Sequence, residues 1–129
     1  MRAKRQIEAF SDERAAVVEF TALSVALVSL LAVVFHFLVV GHVRHVVELH
    51  VDAGVLDAAA FDGSEADGID RVNTGLDDAT GWLENYEVSA NRTAATATVR
   101  VEAQALEVLP WLSSTVVVER TLTTESTNP

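Results

Sequence analysis

The chain contains no cysteine, which excludes a disulfide framework and any thiolate metal site. Basic residues are scarce: nine Lys and Arg stand against nineteen Asp and Glu, a net charge of −10. Phosphates repel so acidic a body, so nucleic acid is not an expected partner. Catalytic signatures are also missing. There is no Gly-x-Ser-x-Gly, no phosphate-binding glycine loop and no His near the strand-like segments to serve as a base, so neither an enzyme nor a cofactor is expected. "DGSEADG" (62–68) lacks the Asp-x-Asp-x-Asp-Gly order of a calcium loop and reads as a solvated acidic turn. The most informative absence is local. From Phe20 to Val40, "FTALSVALVSLLAVVFHFLVV", there is no Asp, Glu, Lys or Arg.

That run of 21 residues would make roughly 31 Å of helix, which matches a hydrocarbon core of about 30 Å. A secretory signal has a shorter apolar region followed by a small-x-small site, and "GHVRHVVE" (41–48) offers none. A chain of 129 residues is also too small to surround a helix that is apolar on every side. One membrane crossing is therefore expected. Residues 1–14 carry Arg2, Lys4, Arg5 and Arg14 against Glu8, Asp12 and Glu13, a net +1, which leaves −11 on the remainder. The positive-inside rule then places this arm in the cytoplasm and the acidic body outside.

Beyond the run, "HVRHVVELHVDAGVLDAAAF" (42–61) has no Pro, one Gly, and Val43, Val47, Val51, Val55 and Ala58 at helical spacing. The helix is expected to continue, with a stripe that needs a partner. "DGSEAD" (62–67) interrupts it, and Ser64 or Asp67 is placed to cap a second helix expected over 68–83, with Ile69, Val72, Leu76, Ala79 and Leu83 on one face. The period then changes to two. In "TATVRVEAQALEV" (96–108) Ala97, Val99, Val101, Ala103 and Ala105 alternate with polar residues, which predicts a strand with one buried face. "NYEVSA" (85–90) and "STVVVERTLTTE" (114–125) are further candidate strands, the first joined to the central one through "NRTA". The expected fold class is α+β: a long N-terminal transmembrane helix extending outside the membrane, a second short helix, and a small antiparallel sheet of about three strands. The expected organisation is an arm at 1–14 that doubles as a possible leader, a helix at 15–61, a head at 62–125 and a disordered tail at 126–129.

Several residues call for a role. Glu19 sits at the mouth of the charge-free run. An acidic residue at the centre of a membrane helix costs about 2.5–3.5 kcal/mol, less near its end. Either a partner cation between chains offsets that cost, or Glu19 is a helix-start acid beside the positive end of the helix dipole. Ala15, Glu19, Ala22, Ala26, Ser29, Val33, His36 and Val40 form a seam of small and ionisable residues opposite a bulky ridge of Phe20, Leu23, Leu27, Leu30, Val34 and Phe37. Small residues let membrane helices approach closely, so the seam is expected to pack against another helix, with His36 as a hydrogen-bonding member. His42, His45 and Glu48 share a helical face, but without a third convergent His they read as interfacial residues rather than a metal site. "NRT" (91–93) matches the glycosylation sequon.

The tract "AAVVEF" running straight into an apolar helix, after a short charged arm and before a β-rich remainder, resembles TadE-like proteins, the minor pseudopilin-like components of tight adherence (Flp-type) pili. The family's Glu-Phe pair falls on Glu19 and Phe20, and the resemblance covers about residues 11–40, with only a stylistic likeness in the strands. It implies a structural or assembly component of such a pilus or a related secretion system, with other pilin-like membrane proteins as partners. It also implies that the Glu19 carboxylate meets the amine of a neighbouring subunit. A prepilin peptidase is an implied partner, with a possible processing site at Arg14, Ala15 and Ala16. Here the chain departs from the pattern, because Arg14 stands where a small residue, usually Gly, is expected. The alternative reading is a single-pass, membrane-anchored extracytoplasmic binding or sensing module unrelated to pili.

Overall fold

The computed structural model describes residues 2–79 and 81–125. It contains α1 (Arg2–Ala59), α2 (Glu65–Asp78), β1 (Leu83–Arg92), β2 (Thr96–Ala105) and β3 (Thr115–Thr123). The fold is α+β, with a long apolar N-terminal helix, a short second helix and a three-stranded antiparallel sheet in the order β1-β2-β3. The chain divides into two compact units, Met1–Phe35 and His36–Pro129.

The first unit is the N-terminal part of α1. No Pro interrupts the 58 residues of this helix, so its backbone ladder is continuous. Its many valines would be indifferent helix formers in water, but in lipid the backbone must satisfy its own N–H and C=O groups, which favours the helix. The apolar residues of this stretch are exposed on both faces: Phe20 is 73%, Leu23 64% and Val25 61% accessible. α1 is the one described helix long and apolar enough to cross a membrane, and only 11% of its most apolar window is buried. That window is therefore not part of this chain's core, and it fits single-pass anchoring.

The second unit begins at His36, ahead of the boundary expected at residue 62, because the later turns of α1 form one wall of its core. Val43, Val47, Val51, Val55 and Ala58 are all at most 2% exposed, as the helical stripe predicts. Against them lie Val72 and Leu76 of α2 and the inward face of β2, where Ala97, Val99, Val101, Ala103 and Ala105 are fully buried. The expected alternation is thus present residue for residue. Val88 pairs with Val101 and Val101 with Val118, which carries the buried row across the sheet. Thr98, Arg100, Glu102 and Gln104 stay on the other face.

The second helix differs from its expected bounds of 68–83 at both ends. It starts earlier because Ser64 and Asp67 act together: Ser64 Oγ accepts from the Asp67 N–H at 3.2 Å, and Asp67 Oδ2 accepts from the Ser64 N–H at 2.9 Å. This reciprocal cap satisfies two donors at the helix start. It stops at Asp78, where Asp77 and Asp78 place negative charge at the negative end of the dipole with no basic residue to offset it. Leu83 accordingly opens β1 instead of closing α2.

The strands also differ at their ends. β2 stops at Ala105 rather than residue 108, and β3 covers Thr115–Thr123 rather than 114–125. Thr124, just past the end of β3, is 7% exposed and its Oγ1 donates to the Ala94 carbonyl at 2.6 Å. The expected tail at 126–129 lies outside the described residues.

Candidate functional site

Two regions carry residues whose placement asks for a function: the apolar part of α1 and the end of the head that meets it in sequence. In the first, the small-residue seam Ala15, Glu19, Ala22, Ala26 and Ser29 is exposed, as is the ridge from Phe20 to Leu30. The described chain covers neither face. Among the described residues Glu19 has no ion-pair partner, the ion pairs being Arg100 with Glu102 and Arg120 with Glu48 and Asp52.

The length of α1 bears on the two readings of Glu19. The helix begins at Arg2, which puts Glu19 about 25 Å from its start, and the dipole's influence ends within the first turn. In the uncut chain Glu19 is therefore not a helix-start acid. Cleavage after Arg14 or Ala15 would create a new N-terminus one turn from Glu19 and bring an α-amine into reach. Arg14, Ala15 and Ala16 all lie within α1 and are exposed.

His36, also a member of the expected seam, is buried where the other small and ionisable seam residues are exposed. Its ring is 2% exposed, and its Nε2 lies 3.2 Å from the Ser113 carbonyl, 77 residues along the chain. A carbonyl can only accept, so Nε2 is assigned as the donor. Nδ1 is buried with no hydrogen-bond partner among the described residues. The histidine is thus engaged by its own chain's β2–β3 connection. Phe37 meets the ring edge-on at 5.7 Å. His42 packs its ring edge-on against Trp82 at 6.1 Å, and His45 is exposed. No group of three or more His, Asp or Glu among the described residues is arranged to hold a metal ion.

Residues that the sequence reading missed hold the head to α1. Arg92 Nη1 donates to the Ala60 carbonyl at 2.8 Å and also to that of Ala58, while the Arg92 N–H donates to Glu65 Oε1 at 2.9 Å. The Glu125 N–H donates to the Ala59 carbonyl at 2.9 Å. Carbonyls at the C-terminal end of α1 have no partner within the helix, and here β1 and the segment after β3 supply one. In the sequence Arg92 is only the middle residue of a sequon whose Asn91 is exposed in β1. Tyr86 Oη donates to the Asp77 carboxylate, and this bond, then burial, then the Asp77 charge raise its pKa from 10.0 to about 12. No sequence signal marks either pair, since both join residues from different elements.

The acidic turn lines a shallow cleft of about 410 Å³ with Asp57, Asp62, Asp67, Asp70 and Arg71. Asp67 is occupied there as the helix cap. No protein-family model, curated protein or solved structure matches the chain.

Proposed function

We infer that the chain is a non-enzymatic structural or assembly component, of the minor pseudopilin-like kind, of a tight adherence type pilus or a related secretion system. A single membrane helix holds it in the cell membrane, with the N-terminus cytoplasmic and the head extracytoplasmic. The supporting observation is Glu19: an exposed carboxylate far from the helix start, without an ion-pair partner among the described residues, at the edge of a charge-free run. A carboxylate so placed is costly unless another chain supplies a cation. The seam of Ala15, Ala22, Ala26 and Ser29 around it leaves room for a second helix backbone to approach, and Phe20 begins the lipid-facing ridge beside it.

The test is recovery in assembled complexes. Glu19→Ala is expected to insert normally, because losing a charge eases partition into lipid, yet to disappear from pilus or assembly-complex fractions. Normal assembly of Glu19→Ala would instead favour the tethered binding or sensing module.

A further inference from the structure

The hydrogen bond between His36 and Ser113 sets the height of the β2–β3 connection along α1. Phe20–Val40 is the apolar run and Arg44 the first charge after it. His36 lies four residues before Val40, about 6 Å inside the end of the run. The Ser113 carbonyl is 3.2 Å from His36 Nε2, so the connection reaches the same level. Trp82 packs edge-on to His42, which lies about 3 Å beyond Val40 along α1. The Leu106 N–H donates to the Trp82 carbonyl at 2.7 Å, which joins the two segments. Trp82 and the connection that carries Trp111, the two tryptophans of the chain, are therefore both tied to α1 where its apolar run gives way to polar sequence.

The connection is built for that level. Val108–Ser114, "VLPWLSS", carries no charge. Trp111 is 69% exposed, the second highest exposure among the large apolar side chains after Phe20 and equalled by none in the head. Irregular backbone cannot enter hydrocarbon with its polar groups unpaired, and this segment pairs several of them. Pro110 has no N–H to satisfy, the Leu112 N–H donates to the Leu109 carbonyl at 3.1 Å, and Ser114 accepts from the Ala105 N–H at 2.9 Å. His36 covers the Ser113 carbonyl. An indole with an apolar body and one N–H favours the headgroup boundary, where amphipathic segments settle about 5–10 Å deep.

We propose that residues 108–114 form a second, monotopic membrane anchor, in which Trp111 inserts into the lipid headgroup boundary beside α1 and holds the head down on the bilayer surface. The occupant of this patch is lipid, because the level imposed by His36 leaves the connection inside the interfacial layer. The proposal rests on Phe20–Val40 being a membrane span, and its test separates the two.

The experiment uses the full chain with Trp82→Phe, which leaves Trp111 as the one tryptophan, reconstituted in phosphatidylcholine vesicles containing lipids brominated at shallow or deep acyl positions. Trp111 emission is expected to shift to the blue and to lose roughly half its intensity or more with the shallow label, less with the deep one, while an aqueous quencher has little effect. A second chain, Trp82→Phe with Trp111→Phe and Leu30→Trp, reports on the span through strong quenching by the deep label. If the Leu30→Trp chain is quenched by lipid while Trp111 remains open to the aqueous quencher, the anchor is overturned and the span stands. Trp111 shielded from both lipid and water would assign the patch to protein and equally overturn it. Failure of the Leu30→Trp chain to feel the deep label would overturn the span itself. Should Trp82→Phe fold poorly, the difference between the native chain and Trp111→Phe yields the same Trp111 signal.

Discussion

Gly54 of α1 and Gly68 of α2 meet backbone to backbone: a Cβ on Gly54 would lie 3.0 Å from the Gly68 carbonyl oxygen and 2.5 Å from Val72 Cγ2, and one on Gly68 would lie 2.9 Å from the Ala58 Cβ. Neither residue has a positive φ, so the requirement is space and not backbone conformation. Gly54→Ala should therefore destabilise the head, because overpacking costs about 1–3 kcal/mol and outweighs the gain of about 1 kcal/mol that Ala brings to a helix. Adding Val72→Ala relieves the 2.5 Å contact, so denaturant midpoints of the two single variants and the double variant should be non-additive. Additive midpoints would show that the helices do not touch here.

Arg92 gives a second stability prediction. Removing a charged donor from part-buried carbonyls costs about 1.5–3 kcal/mol, so Arg92→Met should lower the thermal midpoint. Arg92→Lys should recover part of the loss, since a single ammonium cannot span the Ala58 and Ala60 carbonyls as the guanidinium does. An unchanged midpoint in Arg92→Met would show that water satisfies the end of α1 equally well.

The Tyr86–Asp77 pair makes the head sensitive to alkali. Tyr86 is the sole tyrosine, so phenolate absorbance reports it directly. Its pKa in the folded chain is raised from 10.0 to about 12, which means the folded state holds a proton that the unfolded state has lost. Its contribution is complete below pH 10 and falls away as pH rises toward 12, because stability decreases wherever the folded state binds more protons. Phenolate titration should move from about 12 toward 10 in Asp77→Asn. The alkaline decline in melting temperature should flatten in Tyr86→Phe. A midpoint near 10 in the native chain would exclude the hydrogen bond.

Assembly through the α1 seam predicts an asymmetry between its faces. Ala22→Leu or Ala26→Leu should separate packed helices and weaken association in complex fractions, whereas Leu23→Ala or Leu27→Ala on the ridge should have less effect. Glu19→Gln should be intermediate between the native chain and Glu19→Ala, because an amide can hydrogen-bond an amine but not neutralise it. Equal effects from both faces would remove the seam as a contact.

Topology follows from the net +1 arm and the −11 remainder. Protease added to spheroplasts should digest residues 44–129 and spare the arm. Mass spectrometry of the recovered chain should show a start at Ala15 or Ala16 if a prepilin peptidase acts, and intact residues 1–14 if Arg14 blocks the cut.

The sequence by itself determined the elements. Val43, Val47, Val51 and Val55 recur every four residues, and Ala97 to Ala105 every two, and each set is buried as its period requires. Periodicity is a local property: one segment states which of its faces is apolar whatever that face later packs against. The same holds for the charge-free run from Phe20 to Val40, whose length alone matches a bilayer. What only the tertiary structure decided were the meetings between segments distant in sequence. The spacing of His36 matches Ala15 and Glu19, and only the fold brings the Ser113 carbonyl to it. Nothing in the sequence marks Gly54 and Gly68 as the place where α1 and α2 cross, or Arg92, inside its sequon, as a partner for the last turn of α1. A polar group accepts any complementary partner within hydrogen-bond distance, so its sequence context leaves that partner open. Which partner arrives depends on the register of the sheet and the crossing of the helices, and those follow from packing the whole core at once.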